Sequence, residues 1–360
     1  MSTWERVAGL PLTIEGYELE RLERDVSSDF HRVSTVIRLN GGGTDGAGED
    51  VTYDAEDQDA LQDAGPVQPV AGDWTLGSFH EHLATLDLWP SPALRPASVL
   101  YRVWAYESAA LDLALRQAGV PLHEVLERTP QPVRFVVSLR LGKPSSIEPL
   151  RSRLTRYPAL EFKLDPVNDW TDALIAEIVA TGAVESLDLK GRYVGSVVDV
   201  EADPVLYAKL LAAFPSVWLE DPHDDPEIEE LLKAHHDRIT WDAIIHSIDD
   251  IKALPFQPRM VNIKPSRVGG VKSVFDAYDY CEDHGIGMYG GGQFELGPGR
   301  GHIQYLASLF HATGPNDVAP GGYNDTDPPA GLPDSPLAVA CEPTGFRWSG
   351  PTASRRRSAS

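Results

Sequence analysis

Five short runs decide the fold of this chain: LEFKLD at residues 160–165, SLDLKG at 186–191, VWLEDP at 217–222, ITWD at 239–242 and VNIKP at 261–265. Because successive side chains of a β-strand point to opposite faces, the apolar residues of each run fall on one face and the polar residues on the other. The polar face carries Lys163, Asp165, Asp188, Lys190, Glu220, Asp242, Asn262 and Lys264. All five runs agree in this alternation, which indicates five strands around one shared interior.

The charged residues of these runs follow one another at regular distances. From Lys163 through Asp188, Glu220 and Asp242 to Lys264 the intervals are 25, 32, 22 and 22 residues. Each interval has room for the loops and the helix of a βα unit, and apolar periodicity predicts such helices. We therefore predict an α/β fold whose βα units close into a barrel with its active site at the carboxyl ends of the strands. A doubly wound open sheet is the rival, but it would more naturally show a glycine-rich first turn.

The first 130 or so residues predict a separate α+β domain. Alternating runs at 17–22 and 32–39 predict antiparallel strands, and the glycine-rich segment 40–46 predicts a hairpin loop. The acidic stretch 49–63 is expected to be a solvated face. A stripe of apolar residues predicts a helix over 98–119. The barrel is expected to begin at Pro132.

Composition limits the classes of partner. The chain has 31 basic and 54 acidic residues, a net charge of −23, which argues against nucleic acid or an anionic membrane as a partner. Two cysteines, Cys281 and Cys341, fit neither a disulfide scaffold nor a zinc site. No signal peptide is evident, and no apolar run approaches the roughly 20 residues that span a bilayer. We expect a cytoplasmic protein.

Three acids predict a metal centre. Asp188, Glu220 and Asp242 come from three strands and face one interior, where unpaired carboxylates would repel one another and be desolvated. A divalent cation resolves this, and ligation by oxygen alone favours Mg²⁺. Lys163 and Lys264 flank the acids, as acid–base groups should beside an enediolate formed by loss of an α-proton. The alternative is a structural network of buried ion pairs, which rarely offsets its own desolvation.

Further candidates lie at the ends of other strands. Arg140 ends the first predicted barrel strand, where it either reaches a substrate anion or remains an exposed arginine. Gly291 and Gly292 end a predicted seventh strand, where the backbone would allow close approach of a ligand or metal. A flexible loop is the alternative for these glycines. Residues 316–322 are expected to hold the eighth strand.

The motifs around the five charged residues resemble the enolase superfamily: Lys163 in FKLD, Asp188 in LDLKG, Glu220 in LEDP, Asp242, and Lys264 in NIKPSRVGG. The nearest branch is the muconate lactonizing enzyme group, with o-succinylbenzoate synthases and dipeptide epimerases. The resemblance implies a modified (β/α)7β TIM-like barrel at 132–336. It also implies an α+β capping domain at 1–131, completed by segment 337–350, and leaves 351–360 as a disordered tail. Such sites use a lysine or histidine base with Mg²⁺.

Two positions depart from the family pattern. Asp165 stands where the family usually has a second lysine, the main base, and Lys190 stands where it usually has an asparagine. Lys190 either replaces the missing base or pairs with Asp165 and silences the ordinary chemistry. One positive charge is therefore lost on the second barrel strand and one gained on the third.

The resulting functional hypothesis is Mg²⁺-dependent abstraction of a proton alpha to the carboxylate of a small substrate through a metal-stabilised enediolate. An isomerase (racemase, epimerase or cycloisomerase) is expected, with Asp188, Glu220 and Asp242 as metal ligands. The expected catalytic groups are Lys264 with Lys163 or Lys190, and the expected substrate contacts are Asp165, Arg140, Gly291 and Gly292. A lyase of the same superfamily and a catalytically lapsed ligand-binding barrel are the alternatives. Family members commonly associate, so a homo-oligomer is a further expectation.

Overall fold

The computed structural model describes residues 1–26, 30–193 and 199–349. The predicted tail at 351–360 lies outside these residues. The strands are β1 Pro11–Ile14, β2 Gly16–Val26, β3 Phe30–Gly41, β4 Thr44–Asp50, β5 Gly72–Thr75, β6 Val137–Leu139, β7 Phe162–Leu164, β8 Val184–Asp188, β9 Trp218–Glu220, β10 Ile239–Thr240, β11 Met260–Ile263 and β12 Gly287–Gly290. The helices are α1 Thr3–Ala8, α2 Ala55–Ala64, α3 Leu76–Leu83, α4 Ser98–Ala118, α5 Leu122–Val125, α6 Glu148–Arg156, α7 Asp172–Thr181, α8 Pro204–Ala213, α9 Pro226–Leu232, α10 Ile248–Lys252, α11 Pro265–Val268, α12 Val271–Asp283 and α13 Pro298–Phe310.

A closed ring of parallel strands forms the second part of the chain. Strands β6 to β10 pair in sequence order, and β11 pairs with β12. Hydrogen bonds join these groups: Asn262 N–H donates to Trp241 O at 3.0 Å, and Asp317 N–H donates to Gly290 O at 2.8 Å. Parallel bridges from Gly291 to Asp317 and from Asn316 to Phe135 close the ring. The predicted α/β barrel is confirmed, with the segment at Asn316 and Asp317 as its eighth member.

The N-terminal part is built on an antiparallel sheet in the order β2–β3–β4, and Tyr17 faces Leu39 in its register. Helix α4 covers this sheet and matches the predicted helix closely. The expectation of a solvated acidic face at residues 49–63 is wrong for Glu49, Asp50 and Asp57, which are at most 4% exposed. Glu49 and Asp50 are fully buried at the end of β4, and Arg102 Nε contacts Asp50 Oδ2 at 2.8 Å. The segment pairs as a third strand, so its acids are directed into the domain and find partners there.

Glu49 ties this domain to the barrel. Its carboxylate accepts N–H groups from Leu296 at 2.7 Å, Gly297 at 2.9 Å and Gly299 at 3.0 Å, at the start of α13. These donors are otherwise unpaired at a helix start, where a carboxylate is well placed. The cap thereby holds the loop that follows the predicted Gly291–Gly292 site.

The segment before residue 350 lies against the N-terminal part. Phe346 N–H and Arg347 Nε both reach Asp112 of α4 at 2.8 Å. Asp112 is fully buried, and its pKa is raised by burial. Residues 346 and 347 therefore contact α4, while the completion of the cap by segment 337–350 and the domain boundaries at 131, 132 and 336 stay predictions.

Among the helices of the described residues, none combines the length and the apolar character needed to cross a bilayer.

Close packing of β4 on α4 yields a first prediction. A Cβ added at Gly48 would lie 2.0 Å from Ala105 O and 2.5 Å from Ser108 Oγ. Gly48→Ala is therefore expected to push the helix from the sheet and lower the free energy of unfolding by about 2 kcal/mol. Urea unfolding followed by circular dichroism measures this loss.

Gly16→Ala is the matched control, because nothing lies within 4 Å of a Cβ added in β2 at Gly16. Equal stability of the two variants would show that the tight contact between β4 and α4 does not exist in solution.

Candidate active site

The barrel brings the predicted charged residues to one end. Lys163 lies in the short strand β7, and Asp188 and Glu220 are the last residues of β8 and β9. Asp242 and Lys264 follow β10 and β11. Because the strands are parallel and neighbouring, their carboxyl ends share one face. All five side chains are buried, with at most 7% of any one exposed. The predicted convergence on one interior is therefore present in the structure.

Lys163 lies among three carboxylates. Its Nζ is 2.9 Å from Glu220 Oε1, 3.2 Å from Asp317 Oδ2 and 3.6 Å from Asp188 Oδ2. Burial lowers the pKa of Lys163, but the acids outweigh burial and hold its pKa well above the ordinary value. The ammonium form is thus strongly favoured at this position. On its other oxygen, Glu220 accepts a short hydrogen bond from the Tyr289 hydroxyl.

On the other side of the ring, Asp242 pairs with Lys264 and Arg267. Its Oδ2 lies 2.7 Å from Lys264 Nζ and its Oδ1 lies 2.6 Å from Arg267 Nη1. The Tyr193 hydroxyl donates to Oδ2 at 3.2 Å. Burial lowers the pKa of Lys264, and Arg267 and Lys163 lower it further against the pull of Asp242. Lys163 and Lys264 are therefore buried lysines whose pKa values shift in opposite directions.

An acid that the sequence did not single out, Asp221, groups with Asp188 and Glu220. Asp188, Glu220 and Asp221 each place a carboxylate oxygen within 4.8 Å of the others, and all three are buried. Asp221 also accepts the N–H groups of Asp242 and Ala243 at 2.9 Å. Burial and the neighbouring acids raise the pKa of Asp221 to about 7. The cluster is rich in oxygen ligands but carries strong mutual repulsion.

Strand alternation could not reveal Asp221. Glu220 and Asp221 are adjacent, so a regular strand would direct them to opposite faces. The chain instead turns at Asp221, whose φ is +48°. A positive φ is uncommon outside glycine and changes the direction of the side chain relative to an extended strand. The LEDP run contained both acids, but only the backbone shows that they share one site.

Asp165, Lys190 and Arg140 form a chain of ion pairs at the mouth of the barrel. Lys190 Nζ makes a short contact with Asp188 Oδ2 and lies 3.6 Å from Asp165 Oδ2. Arg140 Nε lies 2.9 Å from the same Asp165 oxygen. Burial raises the pKa of Asp188, but Lys190 and Lys163 outweigh burial and bring its pKa to about 2. Lys190 is therefore an ammonium shared by Asp188 and Asp165. This holds for both alternatives, that Lys190 replaces the missing base or that it pairs with Asp165 and silences the ordinary chemistry.

The two glycines follow β12 beside these groups. A Cβ at Gly291 would lie 2.4 Å from Cε of Lys264 and 3.0 Å from Nδ2 of Asn262. One at Gly292 would lie 2.5 Å from Glu295 Oε2. The absence of a side chain at Gly291 therefore leaves room for the Lys264 stem, which is a packing reason for this glycine.

Several residues of the site escaped sequence reasoning. They are Tyr193, Asp221, Arg267, Tyr289 and Asp317. Arg267 stood inside the NIKPSRVGG motif, and Tyr289 occupies a position of β12 that alternation directs inward. Asp317 belongs to an eighth strand of only isolated bridges, too short for alternation to assign a face.

The chain is similar to a protein family and to individual known enzymes. Residues 129–325 match the C-terminal domain, and residues 5–125 the N-terminal domain, of a family described as a domain of unknown function, DUF8230. The chain belongs to the DUF8230 family.

An o-succinylbenzoate synthase of Geobacillus stearothermophilus is 28% identical over 228 residues, 60% of this chain and 58% of that protein. The chain thus spans less than two thirds of that relative. An N-succinylamino acid racemase of Thermus thermophilus is 26% identical over 331 residues, 87% of this chain and 84% of that protein.

Solved structures with this fold include enolase-superfamily proteins. A dipeptide epimerase from Methylococcus capsulatus, complexed with a Mg ion, has a TM-score of 0.67 at 18% identity, covering 94% of this chain and 100% of that one. The muconate lactonizing enzyme of Pseudomonas putida has a TM-score of 0.61 at 16% identity, covering 93% and 96%. At these identities the similarity establishes the fold. The predicted resemblance to enolase-superfamily proteins, the muconate lactonizing enzyme among them, is confirmed at the level of the fold.

The hydrogen bond from Tyr289 to Glu220 yields a second prediction. Burial raises the pKa of Glu220 well above its ordinary value, so each donor to this carboxylate limits the cost of keeping it in the barrel. Tyr289→Phe leaves one oxygen of a buried acid without its donor and is expected to lower the free energy of unfolding by about 1–3 kcal/mol. Chemical denaturation at pH 8 measures the change.

Tyr278→Phe is the control, since Tyr278 is also buried but its hydroxyl is 3.4 Å from a ring nitrogen of His311. The control should lose less than about 1 kcal/mol. If both variants lose the same amount, the Tyr289 hydroxyl does not support Glu220.

Proposed function

We propose that this chain is an isomerase that removes and returns the proton alpha to the carboxylate of a small substrate, with Mg²⁺ bound at the barrel mouth. The single observation that carries the proposal is the placement of Lys163 and Lys264. Counting β6 as the first member of the ring of eight, Lys163 lies on the second and Lys264 follows the sixth. The two lysines therefore approach from opposite sides of the barrel, and a substrate between them presents one face to each.

The acids suit the cation. Buried carboxylates offer only oxygen ligands, which Mg²⁺ prefers. Asp188 and Glu220 would hold the ion, together with Asp242 as the sequence predicts or with Asp221, which lies within 4.8 Å of the first two. When bound, the ion would supply positive charge beside the substrate carboxylate as negative charge develops there. The complex of the similar dipeptide epimerase with a Mg ion supports this choice.

The acid–base work falls to the lysines. On one face of the substrate a lysine accepts the α-proton, and on the other face a lysine ammonium returns a proton to the same carbon. For one enantiomer Lys264, whose pKa is lowered by burial, accepts the α-proton and the Lys163 ammonium returns one. For the other enantiomer the two lysines exchange these roles, starting from the neutral Lys163 that the first direction leaves. Lys190 remains the third candidate and lies on the Lys163 side of the ring.

The remaining groups would position the substrate. Arg140 is 41% exposed at the barrel mouth and would contact an anionic group of the substrate. Asp165 would accept a hydrogen bond from a donor group of the substrate. The backbone at Gly291 and Gly292 would approach the substrate beside Lys264. The names of the relatives, an N-succinylamino acid racemase and an o-succinylbenzoate synthase, support small carboxylates as the class. A cytoplasmic location and a homo-oligomer stay predictions.

Two alternatives have support of their own. Elimination of water needs one working face, and the similarity to an o-succinylbenzoate synthase favours such a lyase. A lapsed barrel that only binds ligands is favoured by the lysine ammonium groups that lie on Asp188 and Glu220. These pairs occupy the same carboxylates that a cation would need.

Proton exchange in deuterated water separates these functions and is the third prediction. Each enantiomer of N-acylated amino acids and related small carboxylates is incubated with the protein and MgCl₂, and α-deuterium is followed by NMR. The intact protein should label both enantiomers of a true substrate. Lys163→Ala and Lys264→Ala should each lose labelling of one enantiomer by about 10²–10⁴-fold, because each removes the base on one face.

Lys272→Ala serves as the control, since Lys272 is 41% exposed and pairs with Asp276 on α12. It should label both enantiomers at the rate of the intact protein. Labelling that survives both Lys163→Ala and Lys264→Ala would refute the assignment of the two lysines. Loss of both enantiomers on removal of a single lysine would favour the lyase, and no labelling of any compound would favour the ligand-binding barrel.

A further inference from the structure

Lys190 contacts both carboxylate oxygens of Asp188, the first acid of the proposed cation site. Its Nζ makes the short contact with Asp188 Oδ2, and its own backbone N–H donates to Asp188 Oδ1 at 3.3 Å. Asp188 is fully buried, and the Lys190 side chain is only 12% exposed. Little water is therefore available to screen the ammonium from a second cation on the same carboxylate.

A second acceptor for this ammonium lies beside it. Asp165 Oδ2 is 3.6 Å from Lys190 Nζ and accepts from Arg140. Asp165 Oδ1 is buried and has no hydrogen-bond partner among the described residues. A buried carboxylate oxygen without a donor is costly and rare in native proteins. Asp165 Oδ1 is thus an open acceptor within a short side-chain rotation of Lys190.

We propose that Lys190 is a tethered cation that competes with Mg²⁺ for Asp188, and that Asp165 receives its ammonium when the metal binds. This inference rests on the proposed function only in taking Asp188 as a ligand of the cation. Lys190 and Asp165 together would set the concentration of Mg²⁺ at which the site fills. The pair would also account for the joint exchange of charge at these two positions relative to the family pattern.

The expected coupling has a definite sign. Without the ammonium, the cation meets no competitor on Asp188 and binds more tightly. Without the carboxylate at 165, the displaced ammonium loses its acceptor and the cation binds more weakly. The second effect exists only while Lys190 is present, so the two substitutions cannot be additive.

Isothermal titration calorimetry of the metal-stripped full chain with MgCl₂ tests this as the fourth prediction. Mn²⁺ titration followed by electron paramagnetic resonance gives a second reading. Lys190→Asn should tighten Kd at least about tenfold, since a like charge a few ångströms away is removed from a buried site. Asp165→Asn should weaken Kd about tenfold, because the displaced Lys190 ammonium loses its acceptor. In the Lys190→Asn background, Asp165→Asn should leave Kd unchanged within about twofold.

Asparagine is chosen because it can keep the backbone conformation found at position 190. Lys190 has a φ of +57°, and asparagine tolerates this left-handed region better than most residues do. Lys190→Gln is the second variant should the first fail to fold, with folding checked by circular dichroism. Lys209→Asn is the matched charge control, because Lys209 of α8 is 41% exposed and pairs with Asp172 of α7.

The outcomes separate this inference from the proposed function. If the intact protein and the Lys190 variants bind Mg²⁺ with the same Kd, the tethered-cation role is refuted and the metal site stands. If Asp165→Asn acts equally in both backgrounds, Asp165 is not the acceptor and the proposal is overturned. If none of the proteins binds Mg²⁺ or Mn²⁺, the metal part of the proposed function fails and this inference fails with it.

Discussion

The structure of this site depends on how the barrel neutralises acids that it has removed from water. Asp188, Glu220, Asp221 and Asp242 are all at most 1% exposed, and ionised carboxylates in such a place are stable only when paired. Lys163, Lys190, Lys264 and Arg267 are placed within reach of them. The pKa shifts of the buried acids and lysines follow from this burial and from these neighbouring charges.

Much of this arrangement could be predicted, because parallel strands impose two simple regularities. Alternation directed Lys163, Asp188 and Glu220 inward, and the spacing of βα units placed them at one end of a barrel. These rules fail where the backbone leaves the extended conformation. Asp221 joins the cluster through a positive φ, and Glu49 and Asp50 are buried because their segment pairs as a strand that composition alone did not predict.

The cap contributes to the site through the loop after β12. Gln293 is buried and accepts from the Tyr53 hydroxyl at 2.7 Å, and Glu49 accepts N–H groups from Leu296 and Gly297. These contacts join residues at least 240 positions apart in the sequence, so no local sequence pattern could predict them. They hold the segment beside Gly291 and Gly292, so the cap positions backbone that would face the substrate.

The exchange of charge between Asp165 and Lys190 shows why the fold does not determine the activity. Opposed lysines and converging acids are consequences of the barrel, and they persist whatever occupies the mouth. The charge balance among the acids, in contrast, does not follow from the barrel. The Lys190 ammonium on Asp188 changes what a cation must displace in order to bind. Two sequences with the same strands and the same Lys163 and Lys264 would therefore bind metal to different degrees, according to whether the neighbouring acceptor at 165 can take that ammonium away.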